Sequence, residues 1–173
     1  TSRSLLPHIT SINRFDSSSF MYMDESSLRN LEILRNIQDG SSRYTLMEVL
    51  DHTRTAGGSR KMKQWLTSPL VSINDIRKRQ DAVDIFYRNQ LLLSSVRSKL
   101  SGILDMERIC AKIAMNKASA RDMEGLKNSF LKCGEIMEML EEYSFFGSEE
   151  TEHIRNLYSY LDSTIAENPP VVI

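Results

Sequence analysis

The chain of 173 residues contains little of what marks several specialised classes of protein. Its two cysteines, Cys110 and Cys133, and its three histidines are far apart, whereas a zinc site needs such residues at short spacing. Both cysteines fall at positions that predict buried helix faces rather than disulfide bonds. The longest apolar runs fall well short of the roughly 20 residues of a membrane span, and the N-terminus lacks a signal-peptide pattern. We therefore expect a globular protein of the cytoplasm.

A strong charge of one sign is also missing. The 22 lysines and arginines are balanced by 23 acidic residues, so the net charge of −1 excludes a global positive field of the kind that attracts nucleic acid. The sequence contains no Gly-x-x-x-x-Gly-Lys-Ser/Thr phosphate loop, because Gly57-Gly58 is followed by Ser59-Arg60-Lys61 at the wrong spacing. These absences predict no catalytic, cofactor-binding or metal site within the chain.

Extended character is confined to the N-terminal part of the sequence. Residues 5–24 interleave apolar and polar side chains, and Phe20–Met23 predicts a short β-strand. Asp24 then predicts the N-cap of a helix that extends to Gln38, and Gly40 supplies its stop. From there onward, helical signals dominate.

Three pairs of residues have the spacing of a capping box, in which a hydroxyl and an acidic side chain three residues later each accept a free backbone N–H. These pairs are Thr45 with Glu48, Ser72 with Asp75, and Ser119 with Asp122. The first pair predicts a short helix that ends near Leu50. A turn over residues 53–58 follows, in which we expect Gly58 to adopt a positive φ, and the helix after it ends before Pro69.

Apolar residues at alternating steps of three and four mark helices that pack along other helices. The helix opened by Ser72 has the seam Ile73, Ile76, Gln80, Val83 and Tyr87. A long helix after Ser119 has the seam Met123, Leu126, Phe130, Cys133, Met137 and Leu140, and a final helix has Ile154, Leu157, Leu161 and Ile165. Shorter helices are predicted over about 90–100 and 105–115. We therefore predict a mainly α fold, an irregular helical bundle in a single domain over 1–173, with two long antiparallel C-terminal helices and a short β element near the N-terminus.

Three groups of residues suggest chemistry, and each has a stronger structural interpretation. Asp51 and Ser59 flank a histidine in sequence, but a catalytic triad needs an oriented hydrogen-bond chain, so we expect Asp51 to cap the turn or to pair with a cation. Trp65 could stack on a nucleotide, but its helical neighbours favour a place in the core. The basic stretches 60–63 and 77–79 could bind phosphate, but acidic residues beside the second favour a solvated surface.

One long stretch of sequence has a specific pattern. The run Leu50-Asp51-His52-Thr53-Arg54-Thr55-Ala56-Gly57-Gly58-Ser59-Arg60, continuing through Trp65-Leu66 to Pro69-Leu70, resembles the core-domain signature of the MutS family. Further matching segments occur in the family's order at Asn30–Ile33, Ile76, Arg79-Gln80, Ala82-Val83, Asp105-Met106-Glu107-Arg108-Ile109 and Ala120-Arg121-Asp122. The resemblance extends from about Leu6 to Ile173.

The resemblance implies that the chain is the first part of the core, or lever, domain of a DNA mismatch repair protein, without its mismatch-binding, connector, clamp and ATPase domains. The longer protein would bind mispaired double-stranded DNA as a dimer, use ATP and Mg²⁺, and act with a MutL-type partner, associated with the nucleoid in a bacterium. The signature residues would be structural: Leu50, Asp51, Thr53, Thr55, Gly58, Arg60, Trp65, Leu66, Pro69, Leu70, Asp105, Glu107, Arg108, Arg121 and Asp122.

Two other functions remain open on the sequence. A helical bundle with exposed seams could be a protein-interaction module without a part in DNA repair. Within the family, a member specialised in recombination would have a core of the same kind. Neither alternative requires the chain itself to be an enzyme.

Overall fold

The computed structural model describes residues 19–166, which form eight α-helices and no β-strand. The helices are α1 (Glu25–Asn30), α2 (Leu46–Leu50), α3 (Ala56–Thr67), α4 (Ile73–Arg88), α5 (Gln90–Leu100), α6 (Met106–Ala114), α7 (Ala120–Met139) and α8 (Ser148–Thr164), with a 3₁₀ turn at Glu141–Tyr143. This confirms the predicted mainly α fold and its two long C-terminal helices. Within these residues, no helix has the length and apolar character needed to cross a membrane.

The predicted strand at Phe20–Met23 does not form. Phe20 instead makes one isolated antiparallel β-bridge with Leu70. Two backbone hydrogen bonds flank the bridge, from Met21 N to Pro69 O over 2.7 Å and from Val71 N to Ser19 O over 3.3 Å. Only the short connection between α3 and α4 is available as a partner, so no longer ladder can be built. The rest of the segment predicted to be extended, up to residue 18, lies outside the described residues.

The prediction that α1 extends to Gln38 is wrong, because the helix ends at Asn30. Glu32 has a φ of 48°, which a right-handed helix does not allow. Its carboxylate accepts a hydrogen bond from Ile37 N at 2.7 Å, and its carbonyl accepts one from Leu46 N at 3.1 Å. The chain therefore folds back from α1 towards α2 in a compact loop, since side-chain hydrogen bonds to the backbone compete with a helix.

The predicted capping residues do begin helices. Thr45, Ser72 and Ser119 each accept a hydrogen bond from the backbone N–H three residues later, at 3.2, 3.4 and 3.2 Å. Of the three pairs, only Ser119 with Asp122 closes the reciprocal capping box, through Ser119 N and an Asp122 oxygen 2.9 Å apart. Glu48 instead accepts from Tyr44 N, one residue before the N-cap.

The α7 helix lies at the centre of the packing. Ion pairs join Glu138 to Arg155 at 2.9 Å and Lys127 to Asp162 at 3.2 Å, so the C-terminal end of α7 lies beside the beginning of α8 and the two helices are antiparallel, as predicted. One buried cluster joins α5 to the end of α7 through Val96, Ile136 and Leu140. A second joins α6, α7 and α8 through Ile109, Leu126 and Leu161.

Residues on two helix faces that were predicted to be buried lie at the surface instead. On the α4 seam, Ile73, Val83 and Tyr87 are 66%, 65% and 75% exposed, because α4 packs through its other face, where Phe86 contacts the first buried cluster. Cys110 is exposed, because α6 buries its neighbour Ile109. The apolar residues of the α4 seam therefore have the spacing of a helix that packs on another helix, but no helix in the described part of the chain packs on them.

Candidate functional site

The first half of the signature folds into a hydrogen-bonded turn between α2 and α3. Asp51 Oδ1 accepts from Thr53 N at 3.1 Å and from Thr53 Oγ1 at 2.6 Å, while Asp51 Oδ2 accepts from Ser59 Oγ at 2.6 Å. These bonds favour the ionised carboxylate, and the Ser59 hydroxyl is the main reason that the pKa of Asp51 lies below its usual value. Of the two predicted roles for Asp51, capping the turn is the one observed. Because Ser59 donates directly to Asp51, no histidine relays between them and no triad is formed.

The signature glycines lie inside the first turn of α3, so the prediction of a positive φ at Gly58 is wrong. Thr55 is the N-cap, and its Oγ1 accepts from Gly58 N at 3.0 Å. A Cβ on Gly58 would lie 3.0 Å from Thr55 Oγ1 and 3.2 Å from Thr53 Cβ, closer than ordinary contacts allow. Glycine is favoured here by the close approach of the capping threonine, and not by backbone conformation.

Arg60 joins the two halves of the signature. Its guanidinium contacts both Asp105 oxygens, at 2.8 and 3.1 Å, and reaches Glu107 Oε2 at 2.9 Å. Asp105 is the N-cap of α6 and also accepts from Arg108 N at 3.4 Å, so one arginine links the first turn of α3 to the first turn of α6. The contact lowers the pKa of Asp105 and raises that of Arg60, each mainly through their mutual hydrogen bonds. A planar guanidinium that binds a carboxylate through two bonds fixes orientation as well as distance.

We call this set of contacts the signature corner: Asp51, Thr53, Thr55, Gly58, Ser59, Arg60, Asp105 and Glu107. We call the contacts of Arg60 with Asp105 and Glu107 the Arg60 clamp. The turn at Asp51 and the Arg60 clamp meet at the beginning of α3, since Ser59 and Arg60 are adjacent. The corner therefore joins α2, α3 and α6 at one place. Its charged groups are satisfied by one another, which leaves the corner suited to holding helices and not to acid–base chemistry on a ligand.

The last signature residues lie at the start of α7. Asp122 accepts from Lys112 Nζ at 2.6 Å and from the Ser119 backbone and hydroxyl, and Lys112 is the largest cause that lowers the pKa of Asp122 to about 2. This pair fastens the end of α6 to the start of α7. Arg121 is exposed beside it, and Arg108 contributes its backbone N–H to the α6 cap.

The aromatic and apolar signature residues lie at the end of α3. Trp65 is 38% exposed, so the prediction that it lies in the core is wrong. The guanidinium of Arg79 covers one face of its ring at 4.0 Å from the centroid. Leu66 and Pro69 are half-buried, Leu70 makes the bridge to Phe20, and Leu50 is exposed at the end of α2.

Four of the six cations in the two basic stretches contact neighbouring side chains. Arg60 belongs to the signature corner, and Arg79 stacks on Trp65. Lys78 lies 3.5 Å from Asp75, and Lys61 donates to Gln64 at 3.1 Å. These contacts agree with the preferred interpretation of the stretches as a solvated surface.

Sequence reasoning missed Ser129, which is 0% exposed in the middle of α7. Its hydroxyl donates to Gly125 O at 2.7 Å and accepts from Leu104 N at 3.1 Å, and Lys132 Nζ donates to Gly102 O at 3.1 Å nearby. Together they attach the α5–α6 loop to α7. The available sequence signal was that Ser129, a polar residue, comes three positions after Leu126 and so falls on the apolar seam of α7.

No group of three or more potential metal ligands occurs within residues 19–166. The free thiol of Cys133 is partly buried, and burial raises its pKa, which reduces its reactivity at neutral pH.

Comparison with known proteins decides the family. A family model described as MutS domain III matches residues 26–173. The chain belongs to the MutS family. It is 36% identical over 177 residues to the DNA mismatch repair protein MutS of Halothermothrix orenii, a match that covers 100% of this chain and 20% of that protein.

Other MutS proteins match to a similar extent. The MutS of Desulforamulus reducens is 37% identical over 175 residues, covering 99% of this chain and 20% of that protein. The MutS of Treponema pallidum is 35% identical over 179 residues, covering 100% of this chain and 20% of that protein. The chain spans about a fifth of the length of these MutS relatives.

Proposed function

We propose that this chain is the first part of the core, or lever, domain of a DNA mismatch repair protein, and that it transmits conformational change between mismatch binding and ATP hydrolysis carried out elsewhere in the same protein. The signature residues are proposed to act structurally, and the chain itself is proposed not to be an enzyme. Residues 1–173 would form one domain, with the mismatch-binding, connector, clamp and ATPase functions outside it.

The observation that supports this function is the Arg60 clamp. It joins the beginnings of α3 and α6 through a bidentate bond from Arg60 to Asp105, 45 residues away in sequence, and a further contact to Glu107. Coupling between distant sites needs a packed element whose parts move together. The signature corner provides such an element, because displacing α3 requires either moving α6 with it or breaking the clamp.

The wider proposals follow from the family. The longer protein would bind mispaired DNA as a dimer, use ATP with Mg²⁺, work with a MutL-type partner and act in the cytoplasm, close to the nucleoid in a bacterium. The balanced charge of the chain supports a place for DNA binding in other domains, since affinity for duplex DNA rests largely on clustered cations.

The proposal that mismatch binding and ATP hydrolysis take place outside this chain can be tested with the purified chain. Its affinity for a mismatched duplex should equal its affinity for the matched duplex, both weak and strongly reduced by salt, and its ATP hydrolysis should not exceed a blank. The full-length protein containing the chain is the positive control. Mismatch-specific binding or ATP turnover by the chain alone, near the values of the full-length protein, would contradict the proposal.

A further inference from the structure

A polar cavity lies between the turn that precedes α3 and one face of α5. It has a volume of about 460 Å³ and is lined chiefly by two arginines, Arg54 and Arg97, and by three serines, Ser94, Ser98 and Ser101. None of the described residues that line it is acidic. The cavity therefore combines two positive charges with hydroxyl groups and has no carboxylate that would neutralise them.

The α5 wall of the cavity is held firmly in place. The arginine and the three serines on this wall are separated by steps of three and four residues, so they lie on one face of the helix. The opposite face is buried against α7 through Val96. An ion pair between Lys99 and Glu135, with atoms 2.6 Å apart, fastens the same two helices. The polar face is thus presented by a helix that is packed on its other side.

The signature corner holds the other wall. Arg54 lies between Thr53, which donates through its backbone N–H and its hydroxyl to Asp51, and Thr55, whose Oγ1 accepts from Gly58 N. The backbone is therefore fixed on both sides of Arg54. Although it is surrounded by residues of the signature corner, its guanidinium takes no part in their hydrogen bonds and lines the cavity instead.

The donors that line the cavity suit a phosphate group. Within the described part of the chain, the guanidinium groups of Arg54 and Arg97 make no hydrogen bond or ion pair. The Ser101 hydroxyl donates to Arg97 O at 3.0 Å, which leaves the hydroxyls of Ser94 and Ser98 as further donors. A guanidinium binds oxyanions through a planar pair of N–H groups. A phosphate monoester offers three acceptor oxygens and a charge of about −2 at neutral pH, so it can engage both guanidiniums and the hydroxyls together.

We propose that this cavity binds the phosphate group of a small phosphate monoester, such as a mononucleotide. The two arginines match the charge of one terminal phosphate, whereas a nucleic-acid strand would need cations spread along its length. The site goes beyond the proposed coupling function and does not rest on it. A bound phosphate would join the signature corner to α5.

Isothermal titration calorimetry of the chain 1–173 at constant ionic strength tests this, with inorganic phosphate and adenosine monophosphate as the probes. Both should bind saturably at one site. Arg54→Gln with Arg97→Gln should weaken the binding by about 10-fold or more, because charge-assisted hydrogen bonds are lost. The matched control, Arg77→Gln with Arg121→Gln, removes the same charge from exposed positions outside the cavity and should change the affinity little. Equal helical circular dichroism in all variants shows that the fold is retained.

Three results would overturn the proposal. The first is an absence of saturable binding of phosphate. The second is equal weakening in the two double variants, since net charge alone would then explain the attraction. The third concerns the ligand: dimethyl phosphate, a diester with one charge, should bind more weakly than inorganic phosphate. A diester that binds as tightly as inorganic phosphate, or adenosine monophosphate that does not bind where inorganic phosphate does, would contradict a site for a monoester.

Discussion

Arg60 is the residue of the signature corner that links α3 to α6. Replacing it with lysine retains the charge but removes the planar pair of bonds to Asp105, so we expect Arg60→Lys to lower the free energy of unfolding by a small amount, because the clamp is partly exposed. Urea denaturation of the chain measures this. Lys61→Ala, which removes only the contact to Gln64, is the control and should change the stability by less. Equal losses in the two variants would show that the clamp contributes nothing specific.

Asp122 makes the stability depend on pH in a defined direction. Its pKa is lowered from 3.8 in the unfolded chain to about 2 in the folded chain, chiefly by Lys112. The folded state therefore binds fewer protons between these values, so the stabilisation is present above about pH 4 and is lost as the pH falls towards 2.

Asp122→Asn should therefore be less stable than the natural chain at pH 6, and the difference should shrink as the pH falls from 4 to 2. Urea denaturation of both proteins across this range measures it. Other carboxylates with lowered pKa values, such as Asp51 and Asp105, are present in both proteins, so the difference isolates Asp122. A difference that stays constant with pH would contradict the assigned ion pair.

At the scale of elements, the two adjacent glycines at the start of α3 have different surroundings. Alanine substitutions at them should therefore have opposite effects on stability. Alanine at Gly57 meets only Arg60 at 3.9 Å, and it should stabilise the helix by about 0.5 kcal/mol because alanine has the higher helix propensity. A Cβ at Gly58 would lie 3.0 Å from Thr55 Oγ1 and 3.2 Å from Thr53 Cβ, so these threonines must shift, and we expect alanine there to destabilise by about 1 kcal/mol as the cap is displaced. Thermal denaturation compares the two variants. A gain in stability at both positions would mean that the Thr55 cap does not depend on the absence of a side chain at residue 58.

The attachment of the α5–α6 loop to α7 depends on Ser129. Ser129→Ala leaves the Leu104 backbone N–H without its acceptor and should cost about 1 to 3 kcal/mol, the usual effect of an unsatisfied buried donor. Ser98→Ala, on the exposed side of α5, is the control and should stay within about 0.5 kcal/mol. Faster amide exchange at Leu104 in the Ser129 variant would identify the loop as the part that loosens. Unchanged stability and exchange would contradict the assigned role.

Local signals predicted some elements closely. The capping hydroxyls Thr45 and Ser119 and the periodic seam of α7 placed those helices correctly, because caps and periodicity act within a few residues. The end of α1 at Asn30 was missed because Glu32 bonds to Ile37 and Leu46 in a loop that the leucine spacing does not reveal.

Contacts between distant residues were beyond prediction from a single sequence. The signature indicated that Arg60 and Asp105 matter, but not that they touch, because no local pattern relates residues 45 positions apart. The exposure of Trp65 could not be predicted for the same reason. Its helical neighbours favoured burial, and only the folded structure shows that Arg79 of α4 covers one face of its ring.

At the scale of the whole molecule, the described helices form one connected series. The signature corner joins α2, α3 and α6, the Lys112–Asp122 pair joins α6 to α7, and α7 packs along α8. A displacement at α3 can therefore pass to the far end of the bundle through ion pairs and buried side chains. This continuity is the physical basis for the proposed transmission between sites in a longer protein.

The most direct measurement of the central claim uses the full-length protein that contains this chain, with Arg60→Ala compared with Lys61→Ala. The reading is the factor by which mismatched DNA changes the rate of ATP hydrolysis, since coupling between sites is a free energy that typically corresponds to about 5-fold to 150-fold effects. The account predicts that Arg60→Ala reduces this factor while the affinity for mismatched DNA and the ATP turnover without DNA change little, and that Lys61→Ala leaves all three unchanged. An unaltered factor in the Arg60→Ala protein would contradict it.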